Sequence, residues 1–207
     1  MTAALVLLVP GAYLLGSVPF GLVVARLLRG VDVRAVGSGN IGASNVTRAA
    51  GKGAGVLTLA LDVAKASLPM LLAVHLAGGG RPAADWWAAA VGLAAFAGHL
   101  FPLWLGFKGG KGVATALGVF LVLAPVPALL AIATFGVSLA VTRIPAVGSL
   151  AGTAVCCLGT FAQVLLEQGR AGWSSPLPWA GVLVTAAITL RHRANVERLL
   201  RGTENKV

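Results

Sequence analysis

Residues 112–142 read Gly-Val-Ala-Thr-Ala-Leu-Gly-Val-Phe-Leu-Val-Leu-Ala-Pro-Val-Pro-Ala-Leu-Leu-Ala-Ile-Ala-Thr-Phe-Gly-Val-Ser-Leu-Ala-Val-Thr, 31 residues without a charge. As one helix they would run about 46 Å at about 1.5 Å per residue, against a hydrocarbon core of about 30 Å. Pro125 and Pro127 stand at the middle. Proline lacks a backbone donor and disfavours helix in the residue before it. The run is therefore either one bent, tilted span or two short helices with a turn at 124–127. That choice sets the topology of the whole chain.

Four other runs carry no charge: 1–25, 86–107, 144–166 and 171–190. A further segment, 53–80, is apolar apart from Asp62 and Lys65. The tendency of Lys and Arg to stay on the cytoplasmic side discriminates between the two readings. With seven spans and the N-terminus outside, 13 cations lie inside: Arg26, Arg29, Arg34, Arg48, Lys52, Lys108, Lys111, Arg143, Arg191, Arg193, Arg198, Arg201 and Lys206. Only 2, Arg81 and Arg170, lie outside. With six spans the split is 8 against 7. The expectation is an all-α fold: a polytopic helical membrane bundle of seven spans, with the N-terminus outside and the C-terminus cytoplasmic. Spans four and five are then short, about 13 and about 16 residues, on either side of the prolines.

Composition supports this. Of 207 residues, 57% are hydrophobic, and only 16 Lys or Arg and 6 Asp or Glu carry charge. Mean hydropathy is +0.90. A soluble domain carries about 25% charged residues; here the figure is 11%, too little to cover a water-facing surface. Disorder is excluded on the same ground. The 28 glycines show no period of three, which excludes a collagen-like chain. Residues 1–207 are expected to form a single integral membrane domain. The N-terminal run reads as an uncleaved span, since no basic residue precedes it and it exceeds a typical signal core. Adjacent Cys156 and Cys157 point in different directions from one helix and read as small buried residues, not a disulfide.

Three polar, basic stretches fall on the predicted inner face. The first is Gly37-Ser38-Gly39-Asn40-Ile41-Gly42-Ala43-Ser44-Asn45-Val46-Thr47-Arg48. Alternating glycines let backbone N–H groups converge on an anion. Ser38, Asn40, Ser44 and Asn45 add side-chain donors, and Arg48 adds a fork that suits phosphate. The string Gly37-x-Gly39-x-x-Gly42 matches a dinucleotide fingerprint, but no strand precedes it and Asp62, 20 residues on, lies in an apolar span. A polar loop capping the next helix through Ser44 or Asn45 remains an alternative. The second stretch is Gly98-His99-Leu100-Phe101-Pro102 followed by Phe107-Lys108-Gly109-Gly110-Lys111-Gly112. Lysines beside the free N–H groups of a helix start favour phosphate. Gly106 to Lys111 is one residue short of a Walker A loop, which argues against ATP. A tight turn with topogenic lysines is the alternative. The third is the segment 191–204, Arg191-His192-Arg193-Ala194-Asn195 through Glu204, which also reads as a basic amphipathic tail on the membrane surface. Asp62 and Lys65, three apart on one helix face, either neutralise each other or form the floor under these loops.

Taken together and in this order, the three motifs resemble the bacterial acyl-phosphate:glycerol-3-phosphate acyltransferase family. The likeness spans essentially the whole chain and includes Ser17-Val18-Pro19-Phe20-Gly21 and Thr142-Arg143. It implies a seven-helix bundle in the bacterial inner membrane, with the active site facing the cytoplasm. It also implies acyl transfer from acyl phosphate, not from acyl-CoA or acyl carrier protein, to the 1-hydroxyl of glycerol 3-phosphate, giving lysophosphatidic acid. By that resemblance Ser38 and Arg48 are needed for activity, with Gly39, Asn40, Ser44 and Asn45 around them, Ser44 standing where Thr is common. Gly109, Gly110, Lys111 and Gly112, with Lys108, form the glycerol 3-phosphate loop. His192 and Asn195 match active-site positions, Ser149 matches a second serine of the run after Thr142-Arg143 and is a candidate substrate contact, and Glu204 matches a mainly structural glutamate; Asp62 and Lys65, apart from the resemblance, are expected to be structural. Three departures stand out: Ala66 where glycine is usual, Ala146 where serine is common, and Thr47 where Leu is common.

Acyl phosphate is already an activated anhydride, so the expected chemistry is alignment of the hydroxyl with the carbonyl and stabilisation of developing charge. No nucleophile–base–acid constellation is evident, which favours direct attack over an acyl-enzyme. The proton goes to a substrate phosphate oxygen or to His192, whose unperturbed pKa of about 6.5 suits a base. Three histidines and six acids are scattered, so no metal and no cofactor are expected, nor is a nucleic-acid partner. Expected partners are the two substrates, membrane lipids and a soluble enzyme that forms the acyl phosphate. The competing class is a transporter or exchanger of small organic phosphates. That class predicts midplane sites and repeated halves, and no internal repeat is visible.

Overall fold

The computed structural model describes residues 2–79 and 82–206. Arg81, placed above on the outer face, lies outside the described residues, as does the side chain of Arg170. All regular elements among the described residues are helical. The chain divides into two compact units, Met1–Val122 and Leu123–Val207.

The first unit opens with α1 (Thr2–Gly16) and α2 (Phe20–Arg29), joined with a bend of 42° across Ser17-Val18-Pro19. The bend has a local cause. The N–H groups of Leu22 and Val23 both bond to the Pro19 carbonyl, so the Val18 carbonyl drops out of the helical ladder and accepts the Phe20 N–H at 3.0 Å instead. After the loop come α3 (Ala43–Ala50), α4 (Lys52–Ala77), α5 (Pro82–Leu100) and α6 (Val113–Leu123), which ends at the border between the units. Beneath the loop of residues 30–42, Leu22, Val24, Ala25, Val33, Ile41, Val46, Ala50 and Ala54 form a buried apolar cluster. Leu105, from the 3-10 turn Leu103–Leu105, packs against that same cluster. The glycine–lysine loop that follows Leu105 therefore springs from the end of the unit that carries the first motif.

The second unit contains α7 (Pro125–Thr142), α8 (Pro145–Gln168), α9 (Pro176–Arg191) and α10 (Arg193–Leu200). Apolar helices in lipid gain little from hydrophobic burial and associate through close packing of small residues. That is how α8 meets α7. A Cβ on Gly152 would stand 2.8 Å from the Ala131 carbonyl oxygen, one on Gly159 2.9 Å from Pro127, and one on Gly148 2.9 Å from Phe135. Cys156 is buried and Cys157 half-buried in α8, both as free thiols.

The uncharged run 112–142 is two helices. Ala124 leaves helical geometry (φ −150°, ψ 73°), and Pro125 opens α7 at its first turn. There its missing N–H costs nothing and its fixed φ suits the helix. The helices are 11 and 18 residues long, where about 13 and about 16 were expected from prolines placed in the turn. The prolines begin the second helix and do not occupy the turn.

Among the described residues, four helical stretches are long and apolar enough to cross a membrane: Lys52–Ala77, Trp86–Leu105, Pro125–Thr142 and Pro145–Glu167. The bent pair α1–α2 makes a fifth if taken as one span. α6 and α9 are apolar but shorter. Leucines and valines point outward along α4, α7 and α9, as expected where the outer solvent is hydrocarbon.

Candidate active site

The first motif is a turn tied down by one side chain. Asn45, in the first turn of α3, is 3% exposed. Its Nδ2 donates to the carbonyls of Val33 (2.8 Å), Val36 (2.9 Å) and Asn40 (3.0 Å), and its Oδ1 accepts the Ser38 N–H (3.0 Å). Asn40 bends the chain further by accepting the Gly42 N–H at 2.9 Å, the local turn that Asn favours. Gly37 and Gly39 have positive φ, 58° and 67°, and a Cβ on Gly37 would collide with Asn45 Oδ1. The sequence reading grouped Asn45 with direct phosphate donors. Its amide is instead spent on the loop's own backbone, and the Gly39 N–H is likewise taken by the Val36 carbonyl.

This construction displays a few groups. Ser38 and Ser44 are exposed, and neither hydroxyl has a hydrogen bond among the described residues. Arg48, one turn after Ser44, lies against the glycine turn, its Cδ 3.9 Å from the place a Gly37 Cβ would take. Its Nε is buried without a hydrogen-bond partner among the described residues. The flanking segment carries an ion-pair cluster of its own: Asp32 accepts from Arg34 (2.6 Å) and Arg26 (2.7 Å). The Arg34 hydrogen bond chiefly, with Arg26, holds that carboxyl far below the usual range.

The second motif is also held by backbone bonds. Gly109 N–H donates to the Leu100 carbonyl (3.2 Å) and Gly110 N–H to the His99 carbonyl (3.1 Å). Phe107, a non-glycine residue at φ 64°, turns the chain back. Two glycine N–H groups are thus used in the turn, while Lys108 is exposed and Lys111 half-buried at the mouth of α6.

Behind this loop lies a buried polar cluster. Lys65 Nζ is 2.8 Å from Asp62 Oδ1, in charge contact but not in an aligned hydrogen bond. It is also 2.8 Å from His99 Nδ1 and 3.2 Å from the Val18 carbonyl, and it stands 5.7 Å from the centre of the Phe20 ring. The Asp62–Lys65 pair was read from the sequence. His99 and Val18 were not read as its partners. The available signal was that a lysine inside an apolar span needs acceptors, and that a proline-broken helix takes the carbonyl two positions before Phe20 out of the helical ladder, where it bonds the Phe20 N–H and keeps a lone pair for a second donor.

The second unit carries the third motif. His192 ends α9 and begins α10, 2% exposed, with Nδ1 2.8 Å from the Ile188 carbonyl. A carbonyl only accepts, so Nδ1 carries the proton and Nε2 is the basic nitrogen of the neutral ring. Asn195 is 3% exposed, and its Nδ2 donates to Glu204 Oε1 at 2.8 Å. Glu204 Oε2 accepts from Arg198 Nε at 2.8 Å. One buried carboxylate thereby orients both Asn195 and the last turn of α10. Ser149 donates to the Pro145 carbonyl at 2.9 Å, within its own helix.

The apolar helices and their lipid-like exterior define a polytopic helical membrane protein. Comparison with known proteins makes the class more specific. A family model described as "Glycerol-3-phosphate acyltransferase" matches residues 6–202. The chain is 57% identical over 200 residues to the glycerol-3-phosphate acyltransferase of Anaeromyxobacter dehalogenans (strain 2CP-C), covering 97% of this chain and 96% of the relative. It is 50% identical over 206 residues to that of Myxococcus xanthus (strain DK1622), covering 100% of each. Its fold is similar to crystal structures of PlsY (YgiH), an integral membrane glycerol 3-phosphate acyltransferase. For the glycerol 3-phosphate form, the TM-score is 0.86 at 40% identity, covering 99% of this chain and 96% of that one. For the lysophosphatidic acid form, it is 0.84 at 39%, covering 98% and 95%. The protein is an integral membrane acyltransferase, and the transporter reading falls away. The chain belongs to the glycerol-3-phosphate acyltransferase family.

Proposed function

We propose that this protein transfers a fatty acyl group from acyl phosphate to the 1-hydroxyl of glycerol 3-phosphate, releasing lysophosphatidic acid and inorganic phosphate. The reaction takes place in the bacterial inner membrane, with the catalytic loops facing the cytoplasm and residues 1–207 acting as one membrane domain of seven spans. The N-terminus lies outside and the C-terminus inside. The break at Ala124 supports the odd number of spans, since it turns the ambiguous run into two helices.

One observation carries the functional reading: a glycine turn stapled from within by Asn45, with Arg48 laid against it and the Arg48 Nε buried without a hydrogen-bond partner among the described residues. An unsatisfied buried donor is costly, and a phosphate oxygen is the acceptor that this fork and the exposed Ser38 and Ser44 hydroxyls suit. Lys111 and Lys108, with the Gly109–Gly112 loop, bind the glycerol 3-phosphate phosphate. The hydroxyl oxygen attacks the acyl carbonyl carbon, the carbonyl–phosphate bond breaks, and phosphate departs with the electron pair. The proton passes to a phosphate oxygen or to Nε2 of His192. Asn195 is oriented by Glu204 and polarises a reacting oxygen, and Ser149 supplies a further hydroxyl contact. A soluble enzyme that makes acyl phosphate delivers the donor at the inner face.

The test is acyl transfer by purified protein with radiolabelled glycerol 3-phosphate, offered palmitoyl phosphate and, separately, palmitoyl-CoA. Labelled lysophosphatidic acid from the phosphate donor alone is the expected result. Product from the thioester would overturn the donor assignment. Changing Lys111→Ala is expected to raise the KM for glycerol 3-phosphate about 10- to 100-fold, the loss of one charge-assisted contact. An unchanged KM would remove Lys111 from the phosphate site.

A further inference from the structure

The cluster of Asp62, Lys65 and His99 takes no part in the chemistry proposed above, yet it is 1–4% exposed and fully charged or polar. A buried ion pair is seldom retained for stability, because well-packed apolar residues often do as well. What it adjoins is informative. The His99 ring lies directly under Gly110: a Cβ there would overlap ring atom Nε2 and stand 2.9 Å from Cε1. The His99 main-chain carbonyl accepts the Gly110 N–H at 3.1 Å. Both ends of one residue therefore support the loop that presents Lys111.

Lys65 determines how that ring is set. An ammonium has three donors and no acceptor. Its three neighbours are the Val18 carbonyl at 3.2 Å, His99 Nδ1 at 2.8 Å and Asp62 Oδ1 at 2.8 Å. Since Nδ1 must accept from Lys65, the proton of the neutral ring sits on Nε2, the edge against Gly110. Asp62 Oδ1 lies 3.6 Å from Nδ1, beyond hydrogen-bond distance, so it anchors the lysine and leaves the ring to Lys65. The bend at Pro19 supplies the remaining acceptor.

We propose that His99 is a positioning residue, locked in tautomer and orientation by Lys65 and Asp62, and that its ring forms the seat on which the Lys108–Gly112 loop is held for substrate. The proposal rests on the reading that Lys111 binds glycerol 3-phosphate. The absence of glycine side chains at the seat is then a requirement of fit: only hydrogen at Gly110 lets the loop rest on the ring.

The experiment uses full-length protein in detergent or lipid. The double variant Asp62→Asn/Lys65→Met removes both charges together and leaves no unpaired buried ion. Gly110→Ala disturbs the seat from the loop side and leaves the cluster intact. Each is expected to raise the KM for glycerol 3-phosphate about tenfold, equivalent to about 1.4 kcal/mol, with the KM for palmitoyl phosphate unchanged. Amide hydrogen exchange at Gly109 and Gly110 is expected to quicken by a similar factor in both. His99→Gln, which carries an amide nitrogen near the Nε2 position, is expected to stay closer to the parent than His99→Ala. Unchanged exchange and unchanged KM in Gly110→Ala, which alters no buried charge, would overturn the seat. If exchange quickens while the KM stays fixed in these variants and in Lys111→Ala, the substrate reading of Lys111 fails and the seat is upheld.

Discussion

Asn45 shows how one amide organises a loop of eight residues. It makes four hydrogen bonds: its two amide hydrogens serve three carbonyls, one of them shared, and its oxygen accepts the Ser38 N–H. Replacing it by Asp leaves a carboxylate facing the carbonyls of Val33, Val36 and Asn40. Each lost or reversed bond costs about 1–3 kcal/mol. The Asn45→Asp variant is expected to lose about 100-fold in kcat/KM while still eluting as a folded, monodisperse species; retention of parental activity would show that the turn is held by other means. Glu204 makes a complementary case. Glu204→Gln keeps an acceptor for Asn195 and turns an amide NH2 toward Arg198 Nε, but the Arg198 side chain is 36% exposed and can turn to water, so the lost pair costs about 1 kcal/mol. The Gln variant is expected to retain most of its activity and Glu204→Ala to lose most of it. Equal activity in the two would mean that Asn195 needs no orientation by Glu204. The sequence showed that Asn45 and Glu204 belong with their motifs. That one is a staple and the other an aligning group depended on which atoms face each other, and spacing along the chain does not encode that.

At the level of elements, α8 sits on α7 through glycines and not through large apolar side chains. The Gly152 position tolerates no side chain without movement of the Ala131 backbone, 2.8 Å from an added Cβ. Gly152→Val is expected to lower the thermal midpoint in detergent, with a destabilisation of about 1–3 kcal/mol from overpacking. Gly136→Val, on α7, where a Cβ meets nothing within 4 Å, is the matched control and is expected to leave the midpoint unchanged. The break between α6 and α7 was legible as a break in the sequence, because two prolines interrupted a run too long for one span. Its position was less legible. Proline is tolerated in the first turn of a helix, so a proline pair marks either the turn or the helix start, and neighbouring residues do not distinguish these.

At the scale of the molecule, the charge bias makes a prediction about orientation. Single cysteines placed at Arg29, Lys108 and Lys206, in a background lacking Cys156 and Cys157, are expected to react with a membrane-impermeant thiol reagent only when the inner face is opened. A cysteine at Thr2 is expected to react from outside in intact cells. Labelling of position 206 from outside would mean an even number of spans. The division into the units Met1–Val122 and Leu123–Val207 was invisible in the sequence. It falls beside the proline break, but the chain is apolar and uncharged on both sides of it.

What the sequence determined by itself was the solvent and the family. A chain with 11% charged residues has no alternative to burial in lipid, and long apolar runs allow only helices there, because every backbone group must bond within its own segment. The three motifs pointed to the family because they recur as a set. The tertiary structure alone decided how those motifs are built. Asn45 turned out to bind its own loop, the Val18 carbonyl at the Pro19 bend accepted Lys65 as well as the Phe20 N–H, and His99 came to rest under Gly110. Those are contacts between residues 5 to 47 positions apart. They arise only when helices pack and buried polar groups must find partners in space, a constraint that local pattern does not carry.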